Sequence, residues 1–174
     1  MTSTTTKPTY PPFFERKGDR LKLNLHPGQT RTWDSLARFV FMLASTQGGK
    51  TCFGPHWLLR EIETHGAGDY LAVTATFPLL NNKMLPEFLK LFRDIYKLGT
   101  YRDSTKVFEF KAKPGDIAPT RVIFGSAANP ESIESATAKA AWLDEVGQIQ
   151  FRRGSWEAVL RRLSLAEGRV LGTT

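Results

Sequence analysis

The fold of this protein is decided by one stretch of sequence, FVFMLASTQGGKT, which runs from Phe39 to Thr51. Its first five residues form a continuous apolar run, which predicts a strand buried on both faces, as in parallel sheets covered by helices. Apolar residues then recur at helical spacing as far as a helix stop at His65-Gly66, namely Trp57, Leu58 and Ile62. The stretch therefore predicts a strand, a glycine-rich loop and a helix in succession.

The loop between this strand and this helix has the residue types that bind phosphate. Phosphate groups need backbone N–H donors at a helix N-terminus, a cation and, where a metal takes part, a hydroxyl. Lys50 can reach the β- and γ-phosphates of a nucleotide, and Thr51 has a hydroxyl that can ligate Mg²⁺. The regular pattern has a glycine where this chain has Ala44. The predicted ATP contacts are Ser45, Thr46, Gln47, Gly48, Gly49, Lys50 and Thr51. The alternative is a polar turn in which the lysine only faces solvent.

Length and composition limit the remaining possibilities. The 174 residues suffice for one domain, and 24 Lys and Arg against 17 Asp and Glu give a net charge of +7. That balance favours a polyanion as partner, with nucleic acid the first candidate. Cys52 is the single cysteine, no secretory leader is recognisable, and no apolar run approaches the roughly 20 residues that span a bilayer. These features predict a cytoplasmic protein without a membrane segment.

The rest of the chain predicts alternating strands and helices. We expect residues 1–12 to form a flexible arm and residues 13–174 to form the domain. Predicted helices cover Thr30–Ala37, Lys83–Leu98 and Ser155–Leu163, and the second should bury a stripe of Leu85, Leu89, Phe92 and Tyr96. Predicted strands cover Tyr70–Thr74, Lys106–Lys111, Arg121–Phe124, Ala140–Leu143 and Arg169–Leu171, with an antiparallel hairpin near 105–124. The fold class is therefore α/β, a mainly parallel sheet flanked by helices.

A pair of acids, Asp144-Glu145, ends the predicted strand Ala140–Leu143. Adjacent residues of a strand point to opposite sides of the sheet, so the two carboxylates can serve two roles. Asp144 would hold Mg²⁺ beside the phosphate loop, and Glu145 would act as general base on the attacking water. An Asp-Glu pair at a strand end can also be only a solvated cap. The phosphate loop upstream favours the catalytic interpretation.

Taken in order, these residues resemble the ATPase domain of the large subunit of tailed-phage terminases, the DNA-packaging motors. The resemblance covers most of the chain after Leu23. It rests on His26-Pro27-Gly28-Gln29, Trp33 to Phe39, Ala44 to Thr51, Asp144-Glu145 and Val170 to Thr174. It implies a RecA-like (ASCE) P-loop NTPase that uses ATP and Mg²⁺ to translocate double-stranded DNA into a viral procapsid.

The resemblance also implies roles for individual residues. Gln29 would contact adenine, with Trp33 or Arg38 near the base, although Trp33 also fits a core position. Gly172, Thr173 and Thr174 match the coupling motif, which senses the γ-phosphate and transmits hydrolysis to movement on DNA. Many members carry an arginine in the loop where this chain has Thr46-Gln47, so the cation for the transferring phosphoryl group must come from elsewhere. The candidates are Arg93, Arg102, Arg121, Arg152 and Arg153, or an arginine of a neighbouring subunit.

The family's partners would be double-stranded DNA, the portal protein of the procapsid, the terminase small subunit and further copies of the chain in a pentameric ring. The site of action would be the bacterial host cytoplasm. Because the chain ends at the coupling motif, we expect the C-terminal nuclease domain, and with it nuclease activity, to be absent. The basic residues expected to touch DNA phosphates are Arg16, Lys17, Arg20 and Lys22, the lysines and arginines of Lys83–Lys97, Arg152-Arg153 and Arg161-Arg162.

Two other functions fit the same residues. The first RecA-like domain of a superfamily-2 helicase would also use a loop with Gly49-Lys50-Thr51, an upstream Gln29 and Asp144-Glu145. A helicase predicts a second RecA-like domain beyond Thr174, whereas a packaging motor predicts a nuclease domain there. The other alternative is a nucleotide-binding module without motor function, for which Ala44 and the missing loop arginine are mild support.

Overall fold

The computed structural model describes residues 12–18, 20–44, 48–133 and 137–174, with only the backbone given for Arg16, Lys17 and Arg20. The expected flexible arm therefore lies, except for Pro12, outside the described residues. The first half contains β1 (Phe14–Lys17), β2 (Arg20–Leu23), α1 (Pro27–Asp34), β3 (Phe39–Met42), α2 (Lys50–His65) and β4 (Asp69–Thr74). Then come the helical segment α3 (77–95), β5 (Gly99–Arg102), β6 (Val107–Phe110), β7 (Arg121–Ser126), β8 (Ala138–Asp144), α4 (Arg153–Leu163) and β9 (Arg169–Thr173).

Seven of these strands form one sheet in the order β3-β9-β8-β4-β7-β6-β5. The first five are parallel to one another, and β6 and β5 are added antiparallel at the far edge. The predicted α/β class and the predicted hairpin are both confirmed, whereas β5 was not predicted. The carboxyl ends of the five parallel strands lie along a single edge, which is where open α/β sheets bind their ligands.

Helices cover both faces of the sheet. Alternate residues of β4 enter different cores: Tyr70 and Ala72 pack with α2 and α3, whereas Leu71 and Val73 pack with α4. All four are buried, which explains why the central strands have continuous apolar sequences. None of the helices within the described ranges is long and apolar enough to cross a membrane.

The strand before the loop differs from its prediction. β3 is the edge strand of the sheet and covers only one face: Val40 and Met42 are buried, while Phe39 and Phe41 are 43% and 50% exposed. The expectation of burial on both faces was therefore wrong. A continuous apolar run does not distinguish a central strand from an edge strand, because the pattern does not record how many neighbours the strand has.

Two helices begin earlier than predicted. α1 begins at Pro27, because His26 caps its N-terminus. The His26 ring accepts hydrogen bonds from the backbone N–H groups of Gly28 and Gln29, and the Gln29 side chain accepts one from the His26 N–H. Histidine is not a usual capping residue, so the sequence indicated only a turn there. The segment α3 begins at Phe77 and consists of Phe77–Leu79, Leu80–Met84, Leu85–Leu89 and Lys90–Ile95.

The two π-helical parts of α3, Leu80–Met84 and Lys90–Ile95, change its buried stripe. Each π turn adds a residue and rotates the following side chains relative to an α-helix. The core-facing residues are Leu80, Met84, Leu85, Phe88, Leu91 and Phe92, whereas Leu89 and Tyr96 are only half-buried. Of the predicted stripe, Leu85 and Phe92 are therefore buried, while Leu89 and Tyr96 pack against the same core with partial exposure.

A close contact fixes α2 to the sheet. The indole of Trp142, from β8, lies so near Gly54 of α2 that a Cβ added there would be 2.1 Å from Trp142 Cε2. Both residues are fully enclosed in the core beneath the helix. A glycine is needed at position 54 for packing, because any side chain would push the helix away from the strand.

We expect Gly54→Ala to destabilise the protein by about 1–3 kcal/mol, the usual cost of overpacking a core. This is the reverse of the usual effect of alanine in a helix, which is favourable by roughly 1 kcal/mol. Gly154→Ala in α4 is the matched control, because a Cβ there meets nothing within 4 Å. Urea denaturation of both variants measures the difference. Equal stabilities would show that the Trp142 contact does not constrain α2.

Candidate active site

The candidate site lies where β3, β9 and β8 end side by side. In the parallel register, Thr173 of β9 stands opposite Met42 of β3 on one side and Asp144 of β8 on the other. The ladder extends one residue further, because the Ala44 N–H donates to the Thr174 carbonyl at 3.0 Å. The start of the phosphate loop, the acid and the coupling residues predicted from sequence are therefore brought together.

The described part of the loop leads directly into α2. Gly49 has φ +71°, a left-handed conformation that favours glycine, and it precedes Lys50, the first helical residue. In the described part of the chain no side chain caps this N-terminus, so its first N–H groups remain available to an anion. The Lys50 ammonium donates to the Ala44 carbonyl at 2.7 Å. Ser45, Thr46 and Gln47, also predicted as ATP contacts, lie outside the described residues.

Asp144 is buried in a chain of hydrogen bonds. The Thr173 hydroxyl donates to Asp144 Oδ1 at 2.7 Å, and the Trp142 indole N–H donates to the same hydroxyl at 3.3 Å. Only 2% of Asp144 is exposed, and this burial raises the pKa of its carboxyl group. The Thr173 bond, the Glu145 N–H and the charge of Lys50 act in the opposite direction.

These residues fit a magnesium ion. The anionic form of a desolvated carboxylate gains from a nearby cation, and Asp144 and Thr51 supply the oxygen atoms that Mg²⁺ prefers. Among the described residues, no three His, Cys, Asp or Glu side chains are grouped as a metal site. Mg²⁺ is usually bound by one or two protein carboxylates together with phosphates and waters.

Glu145 has an unusual backbone. β8 ends at Asp144, and Glu145 has φ +59°, a left-handed conformation that is uncommon for residues other than glycine. The alternation of side chains along a strand, which predicted separate roles for the two acids, therefore does not extend to Glu145. Two hydrogen bonds hold the turn that follows Glu145: the Val146 N–H donates to Thr173 O at 3.0 Å, and the Gln148 N–H donates to Glu145 O at 3.1 Å. Strained backbone of this kind often occurs at functional sites.

Solved structures with a similar fold include large terminases of bacteriophages. The ATPase domain of the large terminase of Thermus phage P74-26 superposes with a TM-score of 0.66 at 18% identity, over 87% of this chain and 65% of that chain. The fold is that of a large-terminase ATPase domain. A second large terminase, from another thermophilic bacteriophage, gives a TM-score of 0.68 at 11% identity, over 84% of this chain and 38% of that one.

The terminase fold also has a helicase relative. The UvsW helicase of bacteriophage T4 gives a TM-score of 0.56 at 15% identity, over 85% of this chain and 51% of that chain. The second large terminase has been solved in complex with ADP and with ATP-gamma-S.

No protein-family model matches the sequence, and no curated protein matches it. This chain thus spans less than two thirds of each of these structures.

Within this terminase fold, Gln29 lies against the phosphate loop. It is 2% exposed, and a Cβ at Gly49 would be 2.8 Å from Gln29 Nε2. The neighbouring His26 Nε2 lies 3.4 Å from the Gly48 carbonyl. The N-terminus of α1 therefore packs on the two loop glycines, and the assignment of Gln29 to adenine stays a prediction.

The other two base candidates lie elsewhere. Trp33 is half-buried, edge-on to Phe53 at 6.0 Å, with the Arg60 guanidinium 4.4 Å above its ring, which is the core position considered from sequence. Arg38 precedes β3 and donates to Gly168 O at 3.3 Å. It lies at the amino end of the strand, whereas the phosphate loop follows the carboxyl end.

Most candidate arginines already have acidic partners within the chain. Arg121 binds Asp69 through two bonds of 2.7 and 2.8 Å at the amino ends of β7 and β4, away from the loop. Arg93, Arg102 and Arg153 pair with Asp94, Glu109 and Glu157 respectively. Arg152 is exposed and forms no ion pair within the described ranges. Of the five candidates, Arg152 is nearest in sequence to Glu145. It is also the one that has no acidic partner within the described ranges.

Sequence reasoning missed two features near the site. One is the Trp142 indole N–H, since only the strand pairing reveals that it meets Thr173. The other is His56, which is 4% exposed and whose pKa is lowered by burial. Beside it, burial and the nearby Glu87 raise the pKa of the Cys52 thiol, whose sulfur lies 3.9 Å from Glu87 Oε2. The i, i+4 spacing of Cys52 and His56 on a helix was the available signal.

We expect Thr173→Val to destabilise the protein by about 1–3 kcal/mol, because the indole N–H and the Asp144 carboxylate each lose a buried partner. Thr173→Ser keeps the hydroxyl and should recover most of this loss. Guanidinium denaturation of the three proteins measures the effect. Because valine keeps the methyl group of threonine, a valine variant as stable as the wild type would show that these hydrogen bonds contribute little to stability.

The lowered pKa of His56 predicts a pH dependence of stability. Folding favours the neutral ring, so its contribution is present above the pKa of the unfolded state, about 6.5, and is lost as the pH falls toward the folded value. The charged groups around its cavities are Glu87 and Lys90 of α3 and Arg60 and Glu63 of α2. Between pH 8 and pH 5, the wild type should therefore lose more free energy of unfolding than His56→Gln. Parallel losses in urea titrations would contradict this origin.

Proposed function

We propose that this chain hydrolyses ATP and uses the energy to translocate double-stranded DNA into a viral procapsid, as the ATPase domain of a terminase large subunit. The observation that carries the proposal is the junction of β3, β9 and β8. There Lys50 donates to Ala44 O, and its charge acts on Asp144. Asp144 in turn accepts a hydrogen bond from Thr173, the proposed coupling residue. The fold shared with large-terminase ATPase domains supports the same function.

The roles of the loop residues follow from their positions. The phosphates of ATP would lie at the N-terminus of α2, on the backbone N–H groups that follow Gly49. Lys50 now donates to the Ala44 carbonyl, and it would exchange this acceptor for phosphate oxygens. Thr51 and Asp144 would hold Mg²⁺, which neutralises charge on the phosphates when bound. That the second large terminase was solved with ADP and ATP-gamma-S supports nucleotide as the ligand.

Glu145 is the proposed general base. It would accept a proton from the water that attacks the γ-phosphate, and the turn that follows it is held by the bonds of Val146 and Gln148. Gly172, Thr173 and Thr174 would report the state of the site to the rest of the motor. Thr174 contacts both sides of the site, since its carbonyl accepts from Ala44 and its hydroxyl accepts from the Gly147 N–H at 3.2 Å.

DNA would be bound through its phosphates without sequence preference. Basic side chains with solvent exposure include Lys22, Lys83, Lys90, Arg93, Lys97, Arg152, Arg153 and Arg161.

We further propose a pentameric ring in the host cytoplasm that works on the portal protein with the terminase small subunit. The proposal assigns no nuclease activity to these 174 residues. The γ-phosphate cation would come from Arg152 or from a neighbouring subunit.

The second candidate function is the first motor domain of a superfamily-2 helicase. It is favoured by one observation, the fold shared with the UvsW helicase. The two functions differ in the DNA that they act on. A packaging motor should respond to duplex DNA, whereas a helicase tracks and separates strands, so a single strand or a fork should stimulate it more.

An ATPase assay with and without linear duplex DNA tests the proposal. Lys50→Ala should abolish ATP turnover, and Glu145→Gln should lower kcat by about 10²–10⁴, the contribution of a general base. Glu109→Gln is the matched control, because this exposed acid pairs with Arg102 at the far edge of the sheet. The motor proposal fails if Glu145→Gln turns over ATP at the wild-type rate or if turnover does not respond to DNA. Stronger stimulation by forked DNA would favour the helicase.

A further inference from the structure

His26 is an exposed side chain that contacts two elements of the candidate site at once. Its Nδ1 lies 3.1 Å from the Gly28 backbone nitrogen and 3.3 Å from that of Gln29, at the N-terminus of α1. Its other ring nitrogen, Nε2, lies 3.4 Å from the Gly48 carbonyl of the phosphate loop. One imidazole ring therefore bridges the helix that contains Gln29 and the loop that precedes α2.

These two contacts determine which ring nitrogen has the proton. Backbone N–H groups can only donate, so Nδ1 accepts from Gly28 and Gln29 and has no proton itself. A neutral imidazole then has its proton on Nε2, and the Gly48 carbonyl is the acceptor for it. The cap of α1 and the contact with the loop thus require the same tautomer of His26.

The contact with Gly48 restricts the orientation of one peptide group in the loop. The Gly48 carbonyl and the Gly49 N–H belong to the same planar trans peptide, in which they point in opposite directions. A carbonyl held toward His26 therefore turns the Gly49 N–H away from α1. Gln29 supports the same peptide, because its Nε2 would be 2.8 Å from a Cβ at Gly49.

The orientation of this peptide matters for an anion. Phosphate oxygens bind to the backbone N–H groups of a glycine-rich loop and of the helix N-terminus that follows it. Both residues of the peptide are glycines, Gly48 and Gly49, so without a partner it rotates more easily than a peptide between other residues. A rotated peptide would direct a carbonyl oxygen instead of an N–H group toward the phosphates, and the partial negative charge of that oxygen repels them.

We propose that His26 is a positioning residue of the phosphate loop, which keeps the Gly49 N–H directed toward the phosphates of a bound nucleotide by donating to the Gly48 carbonyl. The inference rests on the proposed ATPase function. It assigns to His26 an effect on the triphosphate and not on the base. Loss of the contact should therefore weaken ATP and inorganic tripolyphosphate by the same factor.

Two substitutions separate the cap of α1 from the contact with the loop. The amide of asparagine has about the reach of Nδ1, and asparagine is a favoured N-cap, so His26→Asn keeps the cap and loses the contact with Gly48. The amide of glutamine has about the reach of Nε2, so His26→Gln keeps a donor for Gly48 and loses the cap. The two variants therefore test the two nitrogens of the ring one at a time.

Calorimetric binding of ATP and of tripolyphosphate is the first measurement. His26→Asn should bind both ligands about three- to tenfold more weakly than the wild type, the effect of one hydrogen bond, and His26→Gln should recover most of this loss. Thermal unfolding should give the opposite order, with His26→Asn close to the wild type and His26→Gln less stable. His65→Asn, the same substitution at the far end of α2, is the matched control and should bind both ligands with wild-type affinity.

Steady-state kinetics provide a second measurement. Because the contact is present in the ground state and in the transition state alike, His26→Asn should raise KM for ATP and leave kcat within about twofold of the wild type. A His26→Asn variant that binds tripolyphosphate with wild-type affinity overturns the proposal. So does a variant that weakens ATP alone, because His26 would then act on another part of the nucleotide.

A third measurement uses the wild type and does not depend on the folding of a variant. The ¹⁵N resonances of the His26 ring should show the neutral tautomer with its proton on Nε2, and a proton on Nδ1 instead overturns the proposal. Binding of tripolyphosphate should also require Lys50, as Lys50→Ala tests. If neither ligand binds to the wild type, the proposed function fails and this inference fails with it. If both bind through Lys50 and are unaffected by His26→Asn, only this inference fails.

Discussion

The indole of Trp142 is the constraint on which the rest of the site depends. Its ring fills the space above Gly54, which fixes the height of α2 over the sheet. Its N–H donates to Thr173, whose hydroxyl in turn donates to Asp144. One side chain thus sets the distance between α2, the strand that carries Asp144 and the strand that carries Thr173. Because all these groups are buried, they cannot shift independently without leaving a polar atom unpaired.

The two ends of the sheet have different electrostatic character. At the amino ends of the strands, charged groups are satisfied: Arg169 binds Glu61 at 2.7 Å, and Arg121 binds Asp69 through two bonds. At the carboxyl ends, burial opposes the charge of Asp144, and within the described ranges Lys50 donates to a backbone carbonyl and to no carboxylate. Groups that lack a full complement of partners are able to gain free energy from a ligand. The ion pairs of Arg169 and Arg121 and the buried carboxylate of Asp144 therefore lie at opposite edges of the same sheet.

The sequence predicted the order of elements well because each has a local signal. The helix stop at Gly66, the strand over 70–74 and the acid at position 144 all follow from composition or periodicity. What it did not predict depends on neighbours distant in sequence. The exposure of Phe41 follows from the edge position of β3, the early start of α1 from the ring of His26, and the changed stripe of α3 from two π turns. Of the candidate site, the residue types were predicted, whereas the bond from Thr173 to Asp144 required the pairing of β8 with β9.

The left-handed turn at Glu145 shows how the site could pass a change from one strand to its neighbours. The backbone that follows Glu145 is bonded to the end of β9 and to Thr174, since Val146 donates to Thr173 O and Gly147 donates to the Thr174 hydroxyl. Thr174 is bonded in turn to Ala44, where the phosphate loop begins. A shift of Glu145 toward a more relaxed backbone would therefore pull on both coupling threonines and on the loop together. Because φ +59° costs free energy in a residue with a side chain, this turn stores strain at the point where the three strands meet. Thr173 and Thr174 are thus bonded directly to the turn that follows Glu145, with no intervening element.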